Sequence, residues 1–125
     1  MAKTNYLAVY GTLKREFDLP IMKKVESALS YEQECVIPGK IYDYGRYPAL
    51  VLGEGKVHAE LYKIHDESAL KLLDEYEAVD NEHSEWPGFR RTRVTLIEPK
   101  ILCWVYEYTG SLEGVSLVES GEWHA

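Results

Sequence analysis

In the stretch ALKLLDEYE, Ala69 to Glu77, one carboxylate falls where a solvated acid would not be placed. A helix turns ~100° per residue, so counting from Asp66 puts Leu70 near ~40°, Leu73 near ~340° and Glu77 near ~20°, whereas Glu67, Lys71 and Glu75 fall at about 100° to 180°. A helix that runs through Glu77 therefore carries that carboxylate in the middle of its apolar stripe. There, desolvation and the negative end of the helix dipole both disfavour the charged form and raise the pKa. Such a group suits a general base that must later act as an acid. If the helix instead ends before Glu77, the residue is a solvated acid at a fraying terminus.

A second candidate is the junction AVYGTLKR, Ala8 to Arg15. Gly11 is expected to allow positive φ and close backbone approach, and the successive amides of Gly11, Thr12 and Leu13 can form a concave nest for a carboxylate or a developing oxyanion. The plainer account is a strand that turns at a glycine. No second glycine or Gly-Lys-Ser/Thr run follows, so this is not a phosphate loop. In GRYPAL, Gly45 to Leu50, a proline-fixed bend carries Tyr47, which either walls a pocket or packs locally on a surface turn.

These groups need elements to hold them. NYLAVY reads as a short, mostly buried strand ending at Gly11. DLPIMKKVESALS reads as a helix with Asp18 as cap and Pro20 in its first turn. YEQECVIPGKIYDY is expected to be a strand broken at Pro38 and Gly39, and GRYPALVLGEG a loop and strand closed by a glycine turn. KVHAELYKI alternates, with Val57, Ala59, Leu61 and Lys63 on one face and His58, Glu60, Tyr62 and Ile64 on the other. After the helix from Asp66 comes an acidic loop to about Gly88. FRRTRVTLIE and ILCWVYEY then form a hairpin around Glu98, Pro99 and Lys100, and a glycine-rich tail runs along the surface. The expected class is α+β, with a strongly curved or barrel-like mixed sheet.

At 125 residues the chain is one domain over 1–125, with a core of about 5–108 and a tail of 109–125. A net charge of −7, spread along the chain, offers no basic footprint for nucleic acid or an anionic membrane. MAKTNYLAVYG lacks the apolar core of a signal peptide and no run reaches the length of a membrane span, so the expected compartment is the cytoplasm. Cys35 and Cys103 sit in apolar, strand-like surroundings as small buried hydrophobes. His58, His65, His83 and His124 show no ligand spacing, and the cluster Asp80, Glu82, His83 and Glu85 lacks the ligand order and glycine of a calcium loop; no metal is expected.

VYGTLKR, GRYPAL, VHAELYKI before LLDEYE, and an aromatic-x-Arg opening the penultimate strand together resemble the γ-glutamylcyclotransferase-like family, which includes γ-glutamylamine cyclotransferase and the AIG2-like proteins. The ordered set spans Val9 to about Tyr108. The resemblance implies a small mixed β-barrel or strongly curved sheet flanked by helices, with a cavity at one mouth. It implies substrate binding by Tyr10, Gly11, Thr12 and Leu13, and Glu77 as proton acceptor, with Tyr47 a further candidate for the pocket wall. The implied enzyme needs no cofactor: it releases an amine from a γ-glutamyl amide by cyclisation to 5-oxoproline. The sequence departs from the family's pattern at EFDLP after the first motif, at Ala59 in place of a glycine, at Phe89 in place of a tyrosine, and in the long acidic loop Ala78 to Gly88. A non-catalytic binding or regulatory module on the same fold, or a hydrolase using water, remains as an alternative. If the loop folds over the mouth, Asp80, Glu82 and Glu85 favour cationic or neutral leaving amines over those bearing a free carboxylate.

Overall fold

The computed structural model describes residues 4–11, 23, 25, 27–43, 48–76, 89–108 and 112–123, without the side chains of 74–76 and 89. Among these the elements are β1 (Tyr6–Val9), β2 (Leu29–Asp43), β3 (Pro48–Ile64), α1 (Ser68–Tyr76), β4 (Phe89–Thr95), β5 (Leu102–Tyr108) and β6 (Ser116–Leu117). One mixed sheet runs in the order β4-β5-β1-β3-β2-β6. All neighbouring pairs are antiparallel except β1 with β5, where Leu7 lies opposite Trp104 in parallel.

The sheet is curled into a half-barrel. Past the end of β4, the Val36 N–H donates to the Glu98 carbonyl at 2.8 Å and the Ile97 N–H to the Val36 carbonyl at 2.9 Å. This joins the tip of the β4–β5 hairpin to β2, a strand from the far side of the sheet. Such curvature needs both faces of the central strands to be buried, and β1 shows how its sequence arranges this. Ala8 and Tyr10 point into the curl with Leu61, Val105 and Cys103, while Leu7 and Val9 point outward against Leu70 and Leu73 of α1.

The helix is positioned by its start. The Asp66 carboxylate accepts from the Ser68 N–H at 2.9 Å, and the Asp66 and His65 amides donate to the Ala28 carbonyl. Ala69, Leu70 and Leu73 then face the sheet, while Glu67, Lys71 and Leu72 are exposed, as the helical angles predict. Truncating Leu73, which is fully buried, to alanine should cost about 2–5 kcal/mol. The other expected helix, DLPIMKKVESALS, is described only at Lys23 and Val25, which are helical, and at its end from Ser27 to Ser30; its remaining residues lie outside the described set. Helical cover is thus a minor part of the described fold.

The β2–β3 ribbon differs from its expected form. Instead of a break at Pro38–Gly39 and a turn at Gly53–Gly55, two long strands run past both places. Pro38 pairs with Lys56 and Gly39 with Leu52, so Gly53, Glu54 and Gly55 bulge out opposite the register shift. The glycines bend the strand without ending it because the partner strand continues on either side. Gly55 has φ +119°, and a Cβ there would run into the Gly39 carbonyl. In the second half of β3, Val57, Ala59 and Leu61 face inward as the alternation requires, but Tyr62 and Ile64 are buried too, because α1 covers the outer face.

The tail does more than run along the surface. Ser116–Leu117 pairs with the end of β2, Val118 donates to the Ile41 carbonyl, and the His58 N–H donates to the Gly121 carbonyl at 2.7 Å. Val118 and Trp123 pack against the inner core. Cys35 and Cys103 are free and buried on the inner face, and burial pushes each thiol up to about 12. No described helix is long and apolar enough to cross a membrane.

Candidate active site at the mouth of the curled sheet

Because β1 and β5 run parallel, their C-terminal ends open at the same mouth. Continuing the register from Leu7 opposite Trp104 sets Tyr10 beside Glu107. Tyr10 is buried on the inner face, and its hydroxyl donates to the Tyr106 carbonyl. That bond ties the end of β1 to β5 just where the VYGTLKR stretch leaves the sheet. A buried phenol needs such a partner, and this one holds the ring as part of the wall.

Gly11 follows, and it requires glycine for a reason other than the one its sequence suggested. Its φ is not in the positive region. The constraint is the ring of Pro48: a Cβ on Gly11 would lie 2.7 Å from the Pro48 Cγ and 3.0 Å from the Cδ. The VYGTLKR and GRYPAL stretches, separate in sequence, therefore meet here in van der Waals contact. Ala59, the residue standing where a glycine was expected, lies on the inner face of β3, one step beyond the Val9–Glu60 pair and so beside Tyr10.

Two charged residues complete the described mouth, and sequence analysis did not single them out. Arg90 on β4 and Glu107 on β5 are direct cross-strand partners. They alternate with Trp104 and Tyr106, so they share the inward face with Val105 and Cys103. Both the Nε and the Nη2 of Arg90 donate to the same Glu107 oxygen, Nε at 3.0 Å. The Arg90 side chain is 65% exposed and that of Glu107 14%, so a withdrawn carboxylate holds an outlying guanidinium. The hydrogen bond and charge of Glu107 raise the guanidinium's pKa further. Folding the expected hairpin about Glu98 and Pro99 already sets Arg90 opposite Glu107, which is the signal that could have found them. On the outer face, Arg91 and Arg93 stack over Trp104 at 4.4 and 5.5 Å.

Of the residues read from sequence as site residues, Tyr10 and Gly11 lie at this mouth, and Pro48, next in sequence to Tyr47, lies against Gly11. Thr12, Leu13, Tyr47 and Glu77 lie outside the described residues, as does the acidic loop with Asp80, Glu82, His83 and Glu85; α1 is described to Tyr76. A groove of about 310 Å³ lined by Lys40, Tyr42, Val51, Leu52 and Glu54 sits on the β2–β3 ribbon and contains none of these motifs.

Comparison with known proteins finds relatives of this chain and of its fold. Residues 7–125 match a family described as "Gamma-glutamyl cyclotransferase, AIG2-like". The gamma-glutamylcyclotransferase family protein YtfP of Escherichia coli K12 is 33% identical over 84 residues, 67% of this chain; the match spans 66% of that relative, just under two thirds of its length. A Vibrio cholerae protein, provisionally named a gamma-glutamylcyclotransferase, is 33% identical over 123 residues, covering 92% of this chain and 91% of its own. The solution structure of E. coli YtfP superimposes with a TM-score of 0.68 at 28% identity, over 94% of this chain and 95% of that one. The crystal structure of a mouse AIG2-like protein shares the fold, with a TM-score of 0.61 at 24% identity, over 85% and 78%.

Proposed function

The chain belongs to the gamma-glutamyl cyclotransferase, AIG2-like family, and from that premise we propose that it releases an amine from a γ-glutamyl amide by closing the glutamyl group to 5-oxoproline. The substrate's own α-amine is the nucleophile. It is protonated near neutral pH, and Glu77 accepts that proton. The free amine attacks the γ-carbonyl, the new ring nitrogen gives up its second proton, the C–N bond to the acylated amine breaks, and Glu77 returns its own proton to the departing nitrogen, which leaves as the ammonium. The amides of Gly11, Thr12 and Leu13 hold the substrate's carboxylate or the oxyanion, and Tyr47 lines the pocket. Tyr10 belongs to the binding loop by sequence; with its hydroxyl committed to the Tyr106 carbonyl, its part is to fix where that loop begins.

The observation that carries this reading is the contact of Gly11 with Pro48 at the mouth. It joins the loop assigned to substrate binding to the stretch bearing Tyr47, beside the buried inner-face residues Tyr10, Ala59 and Val105. The test is to incubate the protein with γ-glutamyl amides of cationic, neutral and acidic amines and identify the products by mass spectrometry. Formation of 5-oxoproline is expected. Free glutamate would replace the reading with hydrolysis, and unchanged substrate throughout would leave a binding module.

A further inference from the structure

The chemistry above leaves Arg90 and Glu107 without a task, yet they share the inward face and the row of Tyr10. Across that row the neighbours are Tyr10 and Ala59, both uncharged, so this pair supplies its only charges among the described residues. An arginine this exposed gains little stability from a cross-strand partner. What the partner does fix is position. Glu107 takes the Nε and one Nη2 hydrogen on a single oxygen, and a guanidinium has five N–H donors in a rigid plane. The Nη1 pair and the second Nη2 hydrogen have no acceptor among the described residues. A planar donor set held at one edge and open at the other is suited to receiving a second carboxylate.

We infer that Arg90, oriented by Glu107, binds a carboxylate of the γ-glutamyl ligand. This rests on the γ-glutamyl reading above and deepens it: Arg90 contacts the ligand, and Glu107 is a positioning residue. Arg91 and Arg93 cannot share the role, because they lie on the outer face against Trp104. The ligand has two possible sources of the carboxylate, the α-carboxylate of the glutamyl group and one carried by a leaving amino acid.

Calorimetry with 5-oxoproline and with its carboxamide, on wild-type protein and Arg90→Gln, tests the inference without requiring turnover. Wild type should prefer the acid, and Arg90→Gln should weaken the acid at least tenfold while leaving the amide unchanged, if the α-carboxylate is the one bound. A leaving-group carboxylate is revealed instead by KM: Arg90→Gln then raises KM at least tenfold for γ-glutamylglycine and not for γ-glutamyl butylamide, with kcat held. Glu107→Gln should raise the same KM by a smaller factor and leave kcat unchanged, a split that a merely structural pair would not produce. If Arg90→Gln binds 5-oxoproline and its carboxamide, and turns over γ-glutamylglycine and γ-glutamyl butylamide, as wild type does, the inference is overturned and the γ-glutamyl reading stands. If wild type neither binds nor converts any of them, both fall.

Discussion

Replacing Gly11 with alanine puts a methyl group against the Pro48 ring, and the structure sets the size of the effect. The new carbon would lie 2.7 Å from Cγ and 3.0 Å from Cδ, where carbon pairs are comfortable at ~3.5–4.0 Å. Both ring atoms are tied to the backbone at the first residue of β3, so relief means shifting main chain, and crowding of that kind costs about 1–3 kcal/mol. Since φ at Gly11 is not positive, alanine meets no backbone strain there, and by restricting the unfolded chain it returns ~0.4–1 kcal/mol. The net expectation is a loss of about 1–2 kcal/mol, or roughly 3–5 °C in Tm per kcal/mol for a chain of this size. In a Pro48→Ala background the ring atoms are gone, and Gly11→Ala should become neutral or slightly stabilising. Urea denaturation of the four proteins gives the coupling, which should reach about 1 kcal/mol. Additive losses would refute the contact as the reason for the glycine.

Three further outcomes are expected. Glu77→Gln should abolish 5-oxoproline formation with Tm unchanged or raised, since volume is kept and an ionisable group is lost; near-normal turnover would remove Glu77 from the reaction. Cys35 and Cys103 stay protonated in the fold to about pH 12, whereas unfolded thiols ionise from about 8.5. The unfolded chain therefore holds fewer protons across that window and stability falls as pH rises through it, so a Cys35→Ala, Cys103→Ala double variant should lose less between pH 9 and 11, as followed by thermal melts. Gly121→Ala, at φ +70° and with a Cβ aimed at the Lys56 carbonyl, should cost about 1–3 kcal/mol in a urea melt and reveal how firmly the tail is held.

Local pattern carried much of this fold. The strand-favouring, nearly continuous apolar run NYLAVY gave a short, mostly buried strand, the angles of the Asp66 helix gave Leu70 and Leu73 inward and Lys71 outward, and the turn at Glu98–Pro99 gave the β4–β5 hairpin. The pairing of Leu7 with Trp104 was not legible, because no local signal ties residues so far apart in the chain. Glycines in β3 were read as a turn since their freedom at one position does not disclose a long partner strand on either side. At the candidate site, Tyr10 and Gly11 were singled out by a motif, but the need for glycine was assigned to φ, when it comes from Pro48, a residue met only in three dimensions. Arg90 and Glu107 were passed over because each alone looks like a solvated charge, and only their shared inward face sets them apart.

The place of β1 between β5 and β3 also bears on how the chain is made. β1 is synthesised first, but its partners are not: on a ribosome adding ~5–20 residues per second, Trp104 follows Leu7 by about 5–20 seconds. The β2–β3 ribbon, contiguous from Leu29 to Ile64, can pair as soon as it emerges. Until then Tyr6–Val9 is an apolar segment with its backbone groups unpaired, the kind of stretch that chaperones bind. Even after β3 arrives, one edge of β1 stays open until β5 is made. The mouth, with Tyr10 bonded to Tyr106 and Glu107 beside it, is therefore absent from every nascent chain that stops short of Glu107, and no such partial product carries the candidate site.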